Sequence, residues 1–152
     1  MCVTSLPAAD VRVRAAEPSD AAAVSALSAE LGYPADVAEM RARLERLCGS
    51  REHGVFVACD DQAVLGWIHV SVVEHLQADA RAEIGGLVVA ETARNRRIGA
   101  QLVARAEAWA RERGLGTILV RSQIKRADAH RFYLREGYAQ TKTSAVFTKV
   151  LL

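Results

Sequence analysis

The sequence predicts one mixed α/β domain. Three observations carry that prediction. The chain has 152 residues, with 51% hydrophobic and 25% charged residues, enough to bury a sizeable core and ordinary for a globular domain. Short β-patterned runs alternate with helical stripes in the order β-α-α-β-β-β-α-β-α-β-β. No apolar run approaches the roughly 18 residues of a membrane helix.

Met1 to Ala9 reads as a flexible end, and residues 10–152 as the domain. Val11-Arg12-Val13-Arg14 alternates as a first strand. Pro18 marks a helix start with Asp20 in its first turn, and Val24, Leu27 and Leu31 share a face that stops at Gly32. A second helix, from about Ala35 to Leu47, carries the stripe Val37, Met40, Leu44, Leu47. The turn between them, Gly32-Tyr33-Pro34, reads as a connector or as a lip over a substrate cleft.

Val55-Phe56-Val57-Ala58 reads as a strand, Asp60-Asp61-Gln62 as a turn, and Val64 to Val73 as the returning strand. After a polar loop, Ala82 to Val89 forms a central strand whose Gly85-Gly86 pair fits a bulge. A helix from about Arg97 to Arg113 turns Ile98, Leu102, Ala106 and Trp109 inward and ends at Gly114. Thr117 to Val120 is apolar enough to be a strand buried on both faces. A helix from about Arg126 to Glu136 follows, capped by Gly137, and the last strands are expected near Tyr138 and across Ala145 to Val150.

Charge and cysteine usage narrow the function. A net charge of +2 argues against a protein that coats nucleic acid, and the arginines concentrate in one loop, at Arg94, Arg96 and Arg97. The three cysteines show no metal-ligand spacing, and with no signal peptide apparent they fit a reducing cytoplasm. No metal is expected.

The stretch that organises the chain is Glu83 to Val89, then Arg94-Asn95-Arg96-Arg97-Ile98-Gly99-Ala100, then the long helix. An apolar strand, a basic loop and a helix start form the arrangement an anion such as phosphate needs. First-turn N–H groups and the helix dipole attract it, and arginines add charge. No G-x-x-x-x-G-K-[ST] or G-x-G-x-x-G occurs, which argues against a nucleotide P-loop or a dinucleotide crevice.

Arg94 to Ala100 resembles the Q/R-x-x-G-x-G/A signature of the GNAT acyltransferases, with Arg97 standing at the first glycine position. Ala129-His130-Arg131-Phe132-Tyr133-Leu134-Arg135-Glu136-Gly137-Tyr138 resembles the later family motif A-x-x-F-Y-x-x-x-G-F/Y. The two motifs stand at the family's separation, inside the family's element order. The resemblance implies a GNAT fold that binds acetyl-coenzyme A. Leu87, Val88 and Val89 would then line the pantetheine arm, Arg94 to Ala100 the pyrophosphate, and Phe132 and Tyr133 would complete the cofactor site. Arg97 would turn its side chain away while keeping its N–H.

The resemblance also implies N-acetyl transfer, direct from acetyl-CoA to a primary amine in a ternary complex. An alkylammonium with a pKa of about 10.4 must lose a proton before it can attack. Glu83, in an Ala-Glu-Ile context like the family's general base, is the candidate base, directly or through water. His69, His75 and Glu74 stand in reserve; His69 reads equally as a packed core residue. Tyr133 is the candidate acid for the leaving thiolate. Lys125 and Arg126 read as solvated cations. A small-molecule acceptor is favoured over a protein or peptide lysine, and a non-catalytic acyl-CoA sensing domain is the alternative. The resemblance suggests a homodimer and gives no role to nucleic acid or membrane.

Overall fold

The structure, a computed structural model, describes residues 10–94 and 96–152. The expected flexible end, before residue 10, and Asn95 lie outside the described residues. The chain falls into two compact units, one ending at Val120 and one running from Arg121 to Leu152.

In the first unit β1 (Arg12–Ala15) leads through a 3-10 turn at Pro18–Asp20 into α1 (Ala21–Glu30). Asp20 locks this entry. It accepts two bonds from Arg14, at 2.8 and 2.9 Å, and one from the Glu17 N–H at 2.8 Å. A fork-on-carboxylate pair with a third donor holds a nearly buried charge that would otherwise be costly. α2 (Val37–Cys48) starts two residues later than the stripe implied, because Asp36 caps it by accepting from Glu39 N–H at 2.7 Å.

β2 (His53–Cys59), β3 (Val64–His75) and β4 (Ala78–Val89) form an antiparallel meander, each longer than its apolar run implied. The stretch expected as a polar loop after Val73 is mostly strand, with only a tight reversal at its tip. β5 (Ile118–Val120) joins β4 in parallel, completing a five-stranded mixed sheet in the order β1-β2-β3-β4-β5. β5 is three half-buried residues and not a strand buried on both faces; among the described residues it pairs with β4 alone, so it reads as an edge.

The sheet is covered on both sides. Val55 and Val57 of β2 pack with Val24 of α1 and Leu44 of α2, flanked by Met40, Leu47 and Trp67. The alternate residues face α3 (Ile98–Glu112), where Phe56 lies under the Arg105 guanidinium at 4.3 Å. Ile98, Leu102, Ala106 and Trp109 of α3 are buried, as their spacing predicts.

The second unit holds α4 (Ala127–Arg135), ended by Gly137 at φ 91°. The strands expected near Tyr138 and across Ala145 to Val150 do not form; residues 139–152 carry no regular structure and are exposed. A strand's backbone groups need a partner strand, and the alternating pattern there fixes only which side chains would share a face. The element order through α4 and the mixed α/β class are as the sequence predicts.

Candidate functional site

The site is built where β4 runs toward α3. β4 pairs with β5 only over Ala82, Glu83 and Ile84, while β4 itself continues to Val89. From Gly85 onward the side of β4 toward β5 is therefore paired with no strand among the described residues. The chain then passes through a 3-10 turn at Glu91–Ala93 and the basic loop into α3.

The opposite side of β4 carries the bulge expected at Gly85-Gly86. His69 pairs with Gly86 and Val70 with Ile84, so Gly85 is the extra residue. Gly85 is exposed, and a Cβ on it would stand 3.2 Å from His69 Nδ1. The bulge releases backbone groups of β4 from the ladder beside a ring nitrogen.

α3 opens with an unusual residue. Arg97, at its N-cap, has φ 59° and ψ 24°, the one non-glycine residue with positive φ among those described. The motif's glycine position therefore does require a glycine-like backbone, and the arginine adopts it under strain. Its side chain is exposed. The first helical bond runs from Gln101 N–H to Arg97 O at 3.1 Å, so the N–H groups of Ile98, Gly99 and Ala100 lie ahead of the helix's own ladder. Ile98 sends its side chain into the core and can offer only its backbone outward.

The loop arginines differ from one another. Arg94 is exposed. Arg96 lies 3.7 Å from Asp60, whose carboxyl is held below its ordinary range by the N–H groups of Gln62 and Ala63, with Arg96 adding to them. Arg96 thus ties the loop to the β2–β3 turn. Among the described residues no group of three or more His, Cys, Asp or Glu could hold a metal ion.

Glu83 is half-buried in β4, opposite Ser71 on β3 and Leu119 on β5. Leu87, Val88 and Val89 end β4, with Val88 buried against Trp67's strand position. Strand register puts further groups on Glu83's face: Ser71, His69 and Trp67 on β3, and His53 on β2. Trp67 Nε1 is buried without a hydrogen-bond partner, and His53 Nδ1 lies 2.9 Å from His69 Nε2. Sequence reasoning did not find His53, Ser71 or Trp67, because membership of this face follows from strand pairing and the bulge. Glu74 and His75 are exposed at the far end of β3.

In the second unit Phe132 and Tyr133 sit on α4, their rings edge to face at 5.1 Å, with Tyr138 5.7 Å from Tyr133. Burial pushes the Tyr133 hydroxyl's pKa up, partly offset by Arg126. The phenol therefore keeps its proton at neutral pH.

The sequence model of the acetyltransferase (GNAT) family matches residues 21–138. The chain belongs to this family. It is 46% identical over 89 residues to the aminoalkylphosphonate N-acetyltransferase of Salmonella typhimurium, covering 58% of this chain and 56% of that protein. The match thus spans little more than half of that relative's length. It is 26% identical over 116 residues to the aminoglycoside N(6′)-acetyltransferase type 1 of Serratia marcescens, covering 73% of this chain and 80% of that one. Among solved structures it is similar to the aminoglycoside N-acetyltransferase AAC(6′)-Iy in complex with CoA, with a TM-score of 0.84 at 16% identity over 95% of this chain and 99% of the other. At that identity the likeness is one of fold.

GNAT acetyltransferases use acetyl-CoA, and the residues present suit such a ligand. The open side of β4 offers backbone donors and acceptors to an amide-bearing arm. The first turn of α3, with Arg94 ahead of it in sequence, offers N–H groups and charge to phosphates.

Proposed function

We propose that the protein is an N-acetyltransferase that moves an acetyl group from acetyl-CoA to a primary amine on a small molecule, by direct transfer in a ternary complex. One observation carries the reading: the stretch of β4 from Gly85 to Val89, which β5 does not pair, leads through the 3-10 turn at Glu91–Ala93 and the basic loop into the first turn of α3. Acetyl-CoA supplies an acetyl group activated as a thioester. Leu87, Val88 and Val89 hold its arm through their backbone, and the N–H groups of Arg97, Ile98, Gly99 and Ala100, with Arg94 and Asn95, hold its phosphates. Arg96 supports the loop through Asp60. The family match crosses Val120, which supports treating residues 10–152 as one acetyltransferase domain.

Glu83 is the general base in this reading, acting directly or through water, and Tyr133 the acid that gives its proton to the departing sulfur. The departing thiolate, whose acid has a pKa of about 8.5, is a better leaving group when a proton is supplied as it goes. Phe132 packs against the Tyr133 ring and fixes its direction. The named relatives act on an aminoalkylphosphonate and on aminoglycosides, which supports a small polar amine as acceptor.

The cofactor half of the reading is tested by calorimetric titration with acetyl-CoA beside a Gly99→Pro variant. Proline at the second helical position removes one first-turn N–H without breaking a helical bond. A hydrogen bond to a charged group contributes about 1.5–3 kcal/mol, so affinity should fall at least tenfold. Equal affinity, or no binding by the wild type, contradicts the assignment.

We also place the protein in the cytoplasm as a homodimer. No helix among the described residues is long and apolar enough to cross a membrane, and Cys48 and Cys59 are unpaired. The dimer is supported by the chain's last residues, where Val146, Phe147, Val150, Leu151 and Leu152 are at least 78% exposed on a β-patterned segment. At roughly 150 Å² each they would contribute an area on the order of one partner's share of a standard interface. Light scattering should give two chains for the wild type and one for Phe147→Glu; a monomeric wild type contradicts the dimer.

A further inference from the structure

We propose that His69 and His53 form a proton exit for this site, carrying away the proton that each acceptor ammonium must shed. The inference rests on the acetyl-transfer reading and adds to it a route that the reading lacks. An ammonium that becomes an amide loses two protons from nitrogen. One ends on the thiol, and the other must leave the enzyme on every turnover. A carboxylate that takes it and cannot pass it on would stop after one cycle.

The geometry supplies the passage. His53 Nδ1 and His69 Nε2 are 2.9 Å apart, and the ring centroids lie 5.1 Å apart with 24° between the ring planes. Only one of those two nitrogens can carry the shared hydrogen. If His69 Nε2 carries it, His69 Nδ1 presents a lone pair toward Gly85. That nitrogen would be 3.2 Å from a Cβ at Gly85, and the position has none, so the ring faces the bulge. His69 lies on the same sheet face as Glu83, with Ser71 directly opposite Glu83 and two residues along β3.

Among the described residues His53 from β2 contacts His69, and Glu83 of β4, opposite Ser71, shares its sheet face. The α1 and α2 residues packed over the neighbouring part of this face, Val24, Met40, Leu44 and Leu47, are apolar. Burial first, and His53 second, lower the pKa of His69. His69 is therefore neutral at pH 7 and able to accept a proton.

The transfers balance. The ammonium gives one proton to Glu83, directly or through water, and that proton passes to His69 Nδ1. The Nε2 proton of His69 moves to His53 Nδ1, and the Nε2 proton of His53, a half-buried residue near the strand end, passes to solvent. The free amine keeps the lone pair that forms the new bond to the acetyl carbon. Ring flips or proton exchange with solvent reset the pair.

The test joins nitrogen NMR of the wild type to steady-state kinetics on His69→Gln and His53→Gly, with a small aminoalkylphosphonate and an aminoglycoside as acceptors. The expected spectrum shows His69 protonated at Nε2 and bare at Nδ1. The expected kinetics are a fall in kcat of about a hundredfold for His69→Gln. The affinity for acetyl-CoA should be unchanged, and the acidic limb of the wild-type profile should be lost. Added imidazole should restore His53→Gly. A protonated Nδ1 in the resting enzyme, or a His69→Gln enzyme with wild-type kcat and pH profile, overturns the proposal. So does a loss in His53→Gly that imidazole leaves in place. A wild type that releases no thiol with any amine overturns the acetyl-transfer reading, and the exit with it, so the two failures are told apart by the wild type alone.

Discussion

The indole of Trp67 occupies the space a side chain on Gly86 would need: a Cβ there would stand 2.6 Å from Cη2 and 2.7 Å from Cζ3 of the ring. The two residues sit on adjacent strands, Trp67 opposite Val88 and Gly86 opposite His69. Gly86→Ala must therefore push the ring out of place. Overpacking of this kind costs about 1–3 kcal/mol, which urea unfolding would show as a lower midpoint at unchanged slope. Shortening the ring in Trp67→Phe, Gly86→Ala should recover part of the loss; additive losses would contradict a direct clash.

Arg97→Gly should stabilise the fold. The left-handed backbone at φ 59° costs an arginine about 1–2 kcal/mol, and a glycine gives back part of that gain in unfolded-state entropy. The expected net gain is about 0.5–1 kcal/mol by thermal or urea unfolding. Binding of acetyl-CoA should survive, since the backbone N–H stays in place.

The ion pair at the entry to α1 makes stability depend on pH. Hydrogen bonds from Arg14, then the Glu17 N–H, hold the Asp20 carboxyl below its ordinary pKa. A carboxyl lowered in the fold stabilises it above the unfolded value of about 3.9, and the stabilisation is lost as pH falls through the lower folded value. Asp20→Asn should cost about 2 kcal/mol at pH 7, less than a fully buried pair because Arg14 is 39% exposed. Urea midpoints between pH 7 and pH 2 should converge for the two proteins.

Tyr133→Phe separates enzyme from binder. If Tyr133 protonates the leaving sulfur, the variant should bind acetyl-CoA normally and lose about a hundredfold or more in kcat. Because burial raises the phenol's pKa, the alkaline limb due to Tyr133 should lie above pH ~10. A variant with full turnover would return Tyr133 to a packing role beside Phe132 and Tyr138.

Much of the fold can be read from the sequence because its signals are local. The stripe Ile98, Leu102, Ala106, Trp109 and the cap residues around α1 and α3 depend on spacing alone. Arg97's departure from the family motif also marks the residue that adopts positive φ. What sequence does not reveal is set by pairing. His53 and His69 are sixteen positions apart, and only the β2–β3 register brings them to one face. β4 reaches back to Ala78 through Asp79 and Arg81, whose polarity reads as loop until a neighbouring strand is known. The expected final strands fail for the same reason, since a β pattern does not name its partner.

The most direct test of the account is thiol release from acetyl-CoA in the presence of small amines, with the product amine identified by mass. One free thiol is expected for each N-acetylated aminoalkylphosphonate or aminoglycoside, and nearly none from Glu83→Gln. Acetyl-CoA that binds yet transfers to no amine would contradict it, and would leave an acyl-CoA binding domain in its place.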